Sequence, residues 1–169
     1  IYSNGASGGG WVMTIKPIQS SIKWGGYGTN ISSLPDYTSW SSAAKDFDSC
    51  GNTDKIRAQG NSSKYPAAWA AYNYQPSGTP TGKRWCLPAA GVINSLYNNL
   101  STINTAIGKA GGTKLVNDNE HIWSSSEYNN SDAWIFCTDS GAVSGGLYSN
   151  LKNLISDRYD RVVRPVLAF

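Results

Sequence analysis

Two stretches near the C-terminus decide the fold: His121-Ile122-Trp123-Ser124-Ser125-Ser126-Glu127 and Val162-Val163-Arg164-Pro165-Val166-Leu167-Ala168-Phe169. Each carries β-branched and aromatic residues in a short run, which favours strands. Residues 128–160 lie between them and differ in character. They are rich in Asn, Ser, Asp, Gly and Tyr, with Leu, Ile and Cys at no clear period. The ends read as framework and the middle as a displayed surface. Inside the middle, Trp134 and Phe136 alternate with Ile135 and Cys137. That period of two predicts a further strand over 133–138.

Working back from this region, residues 1–10 are mostly Gly, Ser and Asn and read as a flexible lead-in. Trp11 to Ile15 predicts a short strand that Pro17 limits. A strand ending at Phe169 can pair beside it and tie both chain ends into one sheet. Helical segments are expected from Trp40 to Phe47 and from Pro66 through Tyr72, with Pro66 in the first turn. Asn52 or Thr53 is suited to cap a turn carrying Ile56 and Ala58. Val92, Ile93, Leu96, Tyr97 and Leu100 recur at helical spacing. Ser101 is placed to cap a further helix, in which Ile103 and Ile107 share a face and which Gly111 and Gly112 end. Residues 75–82 form a loop by their turn chemistry. A short strand, then helices, then several strands is an α+β order.

The 169 residues suit one domain, over 11–169. With 7 Trp and 10 Tyr against 15% charged residues, the aromatics can bury enough area to offset chain entropy. The net charge of +3 comes from scattered Lys and Arg, which argues against nucleic acid or an anionic membrane as partner. No apolar run approaches the ~20 residues of a membrane span, so membrane insertion is not expected. No secretory leader is visible and Ile1 is not an initiator, so the stretch reads as a mature protein or a piece of a longer one. Cys50, Cys86 and Cys137 allow one bridge and a free thiol, with the pairing open.

Candidate catalytic and metal groups reduce to bland readings. Asn117-Asp118-Asn119-Glu120-His121 is the only place where acids meet the single His, and it reads as a solvated loop. Asp46-x-Asp48-x-Cys50 begins like a calcium loop, but Cys50 and Arg57 stand where later ligands are needed. No acid or oxyanion site accompanies Ser124, Ser125 and Ser126 at a known spacing. These serines read as turn and cap residues. Glu127 is expected to accept backbone N–H bonds in that turn, and Arg164 to form a structural pair. No cofactor, metal or catalytic residue is assigned.

The segment Lys83-Arg84-Trp85-Cys86-Leu87-Pro88-Ala89-Ala90-Gly91 resembles a bacterial family with a C-type lectin-like fold. Trp123 to Glu127, Ala133-Trp134, Gly141 and Val163 to Val166 follow in the family's order. Lys45 to Asp48 and Gly51-Asn52-Thr53 resemble its early helical region. The resemblance covers roughly residues 11–169 and implies short helices packed on small antiparallel sheets with long loops. The Val-Arg-Pro-Val-Leu-Ala-Phe terminus resembles that of variable proteins diversified by retroelements in bacteria and phages. Such a cassette is rewritten at adenines, and Asn codons then do not yield Glu, Gln, Lys, Met or Trp. Within 128–163, Glu, Gln and Met are absent, and only Lys152 and Trp134 occur, both read as framework. Formylglycine-generating enzymes share the fold but need a reactive cysteine pair near the C-terminal half, and beyond Cys86 this chain has only Cys137.

The reading is therefore a non-enzymatic binding protein with a variable segment over about 121–163. The candidate ligand-binding residues are Tyr128, Asn130, Asp132, Ile135, Cys137 and Asp139, followed by Ser140, Ala142, Ser144, Leu147, Tyr148 and Asn150. Leu151, Leu154, Ile155, Asp157 and Tyr159 complete the set. Tyr in a background of Ser, Gly and Asn is the chemistry of adaptable binding surfaces. Leu147, Leu151, Leu154 and Ile155 also fit one face of a helix, the alternative in which they are core. The resemblance implies an unknown protein or glycan receptor as partner. It also implies an extracellular setting, on a phage tail or a bacterial surface. A structural lectin-like module without diversification is the alternative, and a relative of the formylglycine-generating enzymes a more distant one.

Overall fold

A computed structural model describes residues 2–3, 10–115, 120–137, 146–155 and 159–169. Among them two four-stranded sheets and five helices form an α+β fold. The first sheet has β1 (Tyr2–Ser3), β2 (Gly10–Met13), β3 (Trp85–Cys86) and β8 (Val166–Ala168), in the order β1-β2-β8-β3. β2 and β8 are antiparallel, with Trp11 opposite Ala168 and Met13 opposite Val166, so the chain ends meet in one sheet as the sequence predicts. The expected lead-in is thus partly framework, since Tyr2–Ser3 pairs with Gly10 and Trp11.

The second sheet runs β6-β5-β4-β7, from β4 (Glu120–Glu127), β5 (Asp132–Phe136), β6 (Leu147–Leu151) and β7 (Asp160–Val162). β5 is inner and buried on both faces. Its alternation sends Ala133 and Ile135 into one core cluster, with Trp24, Ile56, Tyr65 and Trp123. It sends Trp134 and Phe136 into another, with Ile93, Ile122, Leu147 and Val162. The sheet is a partition between two cores, and this explains why the period of two in β5 is apolar on both sides.

The helices are α1 (Trp40–Ala43), α2 (Ser49–Ala58), α3 (Pro66–Asn73), α4 (Ala90–Tyr97) and α5 (Leu100–Lys109). α1 stops short of the expected Phe47. Asp48 caps α2 by accepting from Gly51 N at 2.9 Å, in place of Asn52 or Thr53. Asn99 precedes α5, two residues before the expected Ser101 and without a side-chain cap. Pro66 opens α3 as predicted.

α4 has no side-chain cap of its own. Its first N–H groups are satisfied from elsewhere in the chain. Ala89 N donates to Ser49 Oγ at 2.8 Å, Ala90 N to Ser126 Oγ at 2.9 Å, and Gly91 N to the Asp46 carbonyl at 2.7 Å. A Cβ at Gly91 would lie 2.4 Å from that carbonyl, so the close approach requires glycine. The Leu-Pro-Ala-Ala-Gly step is therefore legible as a helix start docked on two distant segments.

Cys50 and Cys86 form a disulfide between α2 and β3, with Cα atoms 5.1 Å apart, and Cys137 is a buried thiol. Beside the disulfide, both guanidinium ends of Arg84 reach the Asp54 carboxylate at 2.5 Å. Arg164, fully buried, pairs with Glu120 at 2.9 Å, the structural role expected of it.

Candidate functional site

Residues 147–155, where a helix was the alternative, are not helical. Residues 147–151 form β6, whose register sets Leu147 opposite Phe136, Tyr148 opposite Ile135, Ser149 opposite Trp134, Asn150 opposite Ala133 and Leu151 opposite Asp132. The i, i+4, i+7, i+8 spacing of the leucines is thus incidental to a strand and the turn after it. Pairing with β5 satisfies the backbone and overrides it.

This register sorts the candidate residues. Leu147 is fully buried against Phe136, and Ile135 and Cys137 are buried at 0% and 3% exposure. These three are corrected from ligand contacts to core: Ile135 lies on the central strand β5, Cys137 directly follows it, and Leu147, on β6, packs with Phe136. Tyr148, Leu151 and Ile155 are exposed at 41%, 42% and 40%, and Asn130 is exposed at the turn between β4 and β5. Tyr128, Asp132, Asn150, Leu154 and Tyr159 are half-buried. Asp139, Ser140, Ala142, Ser144 and Asp157, with the framework Gly141, lie outside the described residues.

The exposed set does not form a single patch. Pairing places Asp132, Ser149 and Leu151 on the face that carries Trp134. Tyr128 joins them, its ring edge-on to Trp134 with centroids 5.5 Å apart. The Trp134 indole donates to the Tyr37 carbonyl at 2.8 Å, which draws residues 37 and 128 to the same face. Burial, followed by the charge of Asp46 and a hydrogen bond to it, pushes the Tyr37 hydroxyl up to about 12. Tyr148 and Asn150 point to the opposite face, while Tyr159 lies at the far edge of the sheet beside β7. There its ring stacks on His121 at 4.5 Å, and His121 is buried. The single His therefore packs against an aromatic ring. No group of three or more potential ligands for a metal occurs among the described residues.

What fixes this surface is a residue read from the sequence as framework. Lys152, directly after β6, is fully buried and pairs with the equally buried Glu127 at the end of β4. Its ammonium also donates to the carbonyls of Thr29 at 3.0 Å and Asn130 at 3.2 Å, and lies 4.8 Å from the centre of the Trp24 ring. Glu127 accepts in addition from Ile31 N at 3.1 Å. Burial pushes the Lys152 ammonium down and the Glu127 carboxyl up, and the pairing opposes both shifts. One charge pair thus gathers three segments: residues 29–31, the β4–β5 turn and the end of β6. Backbone bonds extend the junction, from Gly28 N to the Asn130 carbonyl at 2.9 Å and from Lys152 N to the Ser131 carbonyl at 2.9 Å. Tyr27, exposed at 52%, flanks this junction and was not among the sequence candidates. The only available signal was that Lys152 is the sole lysine of residues 128–163.

The expected turn-and-cap role of Ser124 to Ser126 is half right. All three are fully buried within β4 and occupy no turn. Ser126 does cap a helix, though a distant one, and its hydroxyl donates to Asp46 Oδ2 at 2.5 Å. That acid also accepts from Asn52 at 2.7 Å, so the acids that resemble a calcium loop are occupied by protein donors. Glu127 accepts a backbone N–H, from Ile31 rather than from its own turn.

No protein-family model and no curated protein matches the chain. Among solved structures it is similar to a fimbrial protein from Bacteroides ovatus, with a TM-score of 0.64 and 16% identity. The match covers 95% of this chain but 36% of that protein, so the chain spans about a third of its structural neighbour. At this identity the likeness concerns the fold.

Proposed function

We propose that the chain is a non-enzymatic binding module of a bacterial surface protein. Its contact surface is the face carrying Tyr128, Asp132 and Leu151, with Asn130 at the tip. The observation that supports this is the junction at Lys152, which holds three polar segments rigidly while leaving Asn130, Leu151 and Tyr27 exposed. Fixing loops before binding lowers the ordering cost of association. The fold shared with a fimbrial protein favours a bacterial surface over a phage tail and supports the plainer of the two readings, a surface module without diversification.

The energetics suit a weak, multivalent contact. With Leu147 in the core and Tyr148 turned to the opposite face, the exposed apolar side chains left to this contact are Leu151 and Ile155. Burying each contributes about 1.5–3 kcal/mol, whereas association costs about 4–15 kcal/mol. Useful affinity then needs polar contacts from Asn and Ser, or several copies acting together.

The test is to make the chain tetravalent on streptavidin and probe an array of extracellular proteins and glycans. Binding that Tyr128→Ser and Leu151→Ser abolish is the expected result. Equal binding by wild type and both variants sinks the assignment of this face. Diversification by a retroelement, with its C-type lectin-like display, is a finer reading that rests on the sequence motifs. It is tested by sequencing the locus across a population. Substitutions should then gather at Tyr128, Asn130, Asp132, Tyr148, Asn150 and Leu151 and spare Ile135, Cys137 and Leu147. An invariant segment eliminates it.

A further inference from the structure

A second concavity lies where α3 and the turn before it meet the segment around Gln19 and Ile22. It has a volume of about 230 Å³, and Trp69, Pro66 and Ala70 of α3 line it together with Gln19, Ser62 and Asn73. We infer that this pocket binds a single neutral sugar ring, such as the terminal residue of a glycan. The inference goes beyond the proposed contact face and shares no residue with it.

Three observations carry it. The first is the chemistry of the wall. Gln19, Ser62 and Asn73 are exposed and bring two amides and a hydroxyl, groups that both donate and accept. A sugar hydroxyl also does both. No lining side chain is charged, and the Arg57 guanidinium stacked on Trp69 is already engaged with that ring and with Asp54. The second is the floor. Arg57 covers one face of Trp69, and the part of that side chain that lines the pocket gives, with Pro66, Ala70 and Ile22, an apolar floor for the C–H groups of a pyranose. A mixed floor of this kind matches a ring with one apolar and several polar edges.

The third is that the wall is already in place. The Trp69 indole donates to the Gly60 carbonyl at 2.8 Å, and the Arg57 guanidinium stacks 4.1 Å from its ring centre. Gln19 is held by its backbone, whose carbonyl accepts from Val163 N at 3.0 Å, while Ile18 N donates to the Val163 carbonyl at 2.9 Å. Ser62 sits in the turn in which Lys64 N donates to Asn61 Oδ1 at 3.1 Å, and Asn73 ends α3. The backbone of these segments is anchored without a ligand, so binding has only the side chains of Gln19, Ser62 and Asn73 to order. The volume is that of one ring, so a longer glycan would extend outward from it. The Trp69 N–H is committed to Gly60, and recognition therefore falls to the amides and the hydroxyl.

The experiment is saturation-transfer NMR on the full chain with a panel of neutral monosaccharides: galactose, mannose, fucose, glucose and N-acetylglucosamine. Sialic acid and glucose 6-phosphate serve as charged controls. Saturation transfer to at least one neutral sugar, with a dissociation constant in the millimolar range, is the expected result. Asn73→Ala and Gln19→Ala should each weaken it about 3- to 10-fold, the loss of one hydrogen bond. Both positions are exposed, and an unchanged melting temperature confirms that the fold survives. Tyr128→Ser should leave sugar binding intact, which separates this site from the displayed face. Absence of transfer from every neutral sugar overturns the inference. So does transfer that Asn73→Ala and Gln19→Ala leave unchanged, or a preference for the charged sugars.

Discussion

Ser124-Ser125-Ser126-Glu127 and Leu147-Tyr148-Ser149-Asn150-Leu151 look alike in polarity but are opposites in the folded chain. The first is an inner strand end with every residue fully buried. The second is a strand with two residues above 40% exposure. The difference lies in what each strand has beside it. β4 is flanked by β5 and β7, and its polar atoms meet donors and acceptors from residues 31, 46, 90 and 152. β6 ends the described order of its sheet and pairs with β5 alone. Polarity in a sequence therefore reports the need for hydrogen bonds and leaves open whether water or protein meets it. Where protein meets it, the partners come from far along the chain, 80 residues away for Ser126 and Asp46.

The strongest way to break the contrast is to remove the charge that links the two strands. Lys152→Met keeps length and apolar bulk but strands Glu127 in a buried site. The expected loss is about 3–5 kcal/mol, the cost of an unpaired buried charge. Denaturant unfolding measures it. The double variant Lys152→Met with Glu127→Leu should recover most of the loss, because no charge is then buried. If the double variant is as unstable as the single one, Lys152 acts through its bonds to the Thr29 and Asn130 carbonyls rather than through Glu127.

Next in size is Leu147→Ala, within β6 itself. Leu147 packs with Phe136 and Ile93 in a closed core, and its truncation leaves a cavity. A destabilisation of about 2–5 kcal/mol is expected, read as a lower midpoint of unfolding at unchanged slope. A loss under about 0.5 kcal/mol, the usual size for surface sites, would return Leu147 to the displayed set.

This explains how far the sequence could be read. β5 was legible because alternation persists through both of its buried faces, and β2 and β8 because β-branched runs marked them. Pro66 and the Leu-Pro-Ala-Ala-Gly step placed α3 and α4 correctly. The candidate site was only partly legible. Composition pointed to Tyr128 and Asn130, which the fold leaves half-buried and exposed, but Ile135, Cys137 and Leu147 were included because apolar residues in a polar stretch resemble contact residues. Nothing in the local sequence distinguishes Leu147 from Leu151. Register alone sets one against Phe136 and the other against Asp132. Lys152 was read as framework and is buried framework, but its partners Glu127, Thr29 and Asn130 could not be read, since they are fixed by tertiary pairing and follow no motif. The helical spacing of 147, 151, 154 and 155 was a true pattern with no structural meaning, because pairing with β5 outweighs a preference confined to a few residues.

Ser126→Ala tests the buried serine run at a smaller scale. It removes the acceptor of Ala90 N and one donor to Asp46, both without access to water. A loss of about 1–3 kcal/mol follows from one unsatisfied buried group. Amide exchange should quicken first at the start of α4, where the N–H loses its cap. Uniform acceleration across the chain would instead mean that Ser126 supports the global core and not the local helix start.

The smallest stability effect is expected at Leu151, and it sharpens the comparison most. Leu151→Ala removes an exposed side chain on the Trp134 face, so stability should change by less than about 0.5 kcal/mol. Because β6 carries both leucines, the pair forms an internal control: the same substitution, in the same strand, four residues apart. Leu147→Ala should move the unfolding midpoint and leave the binding of the remaining folded protein intact. Leu151→Ala should leave the midpoint in place and weaken capture on the protein and glycan array. Opposite responses at these two positions would establish β6 as a strand with one leucine built into the core and one held out to a partner. Equal responses would mean that β6 is packed throughout, and the contact surface would then have to be sought at Tyr27 and Asn130.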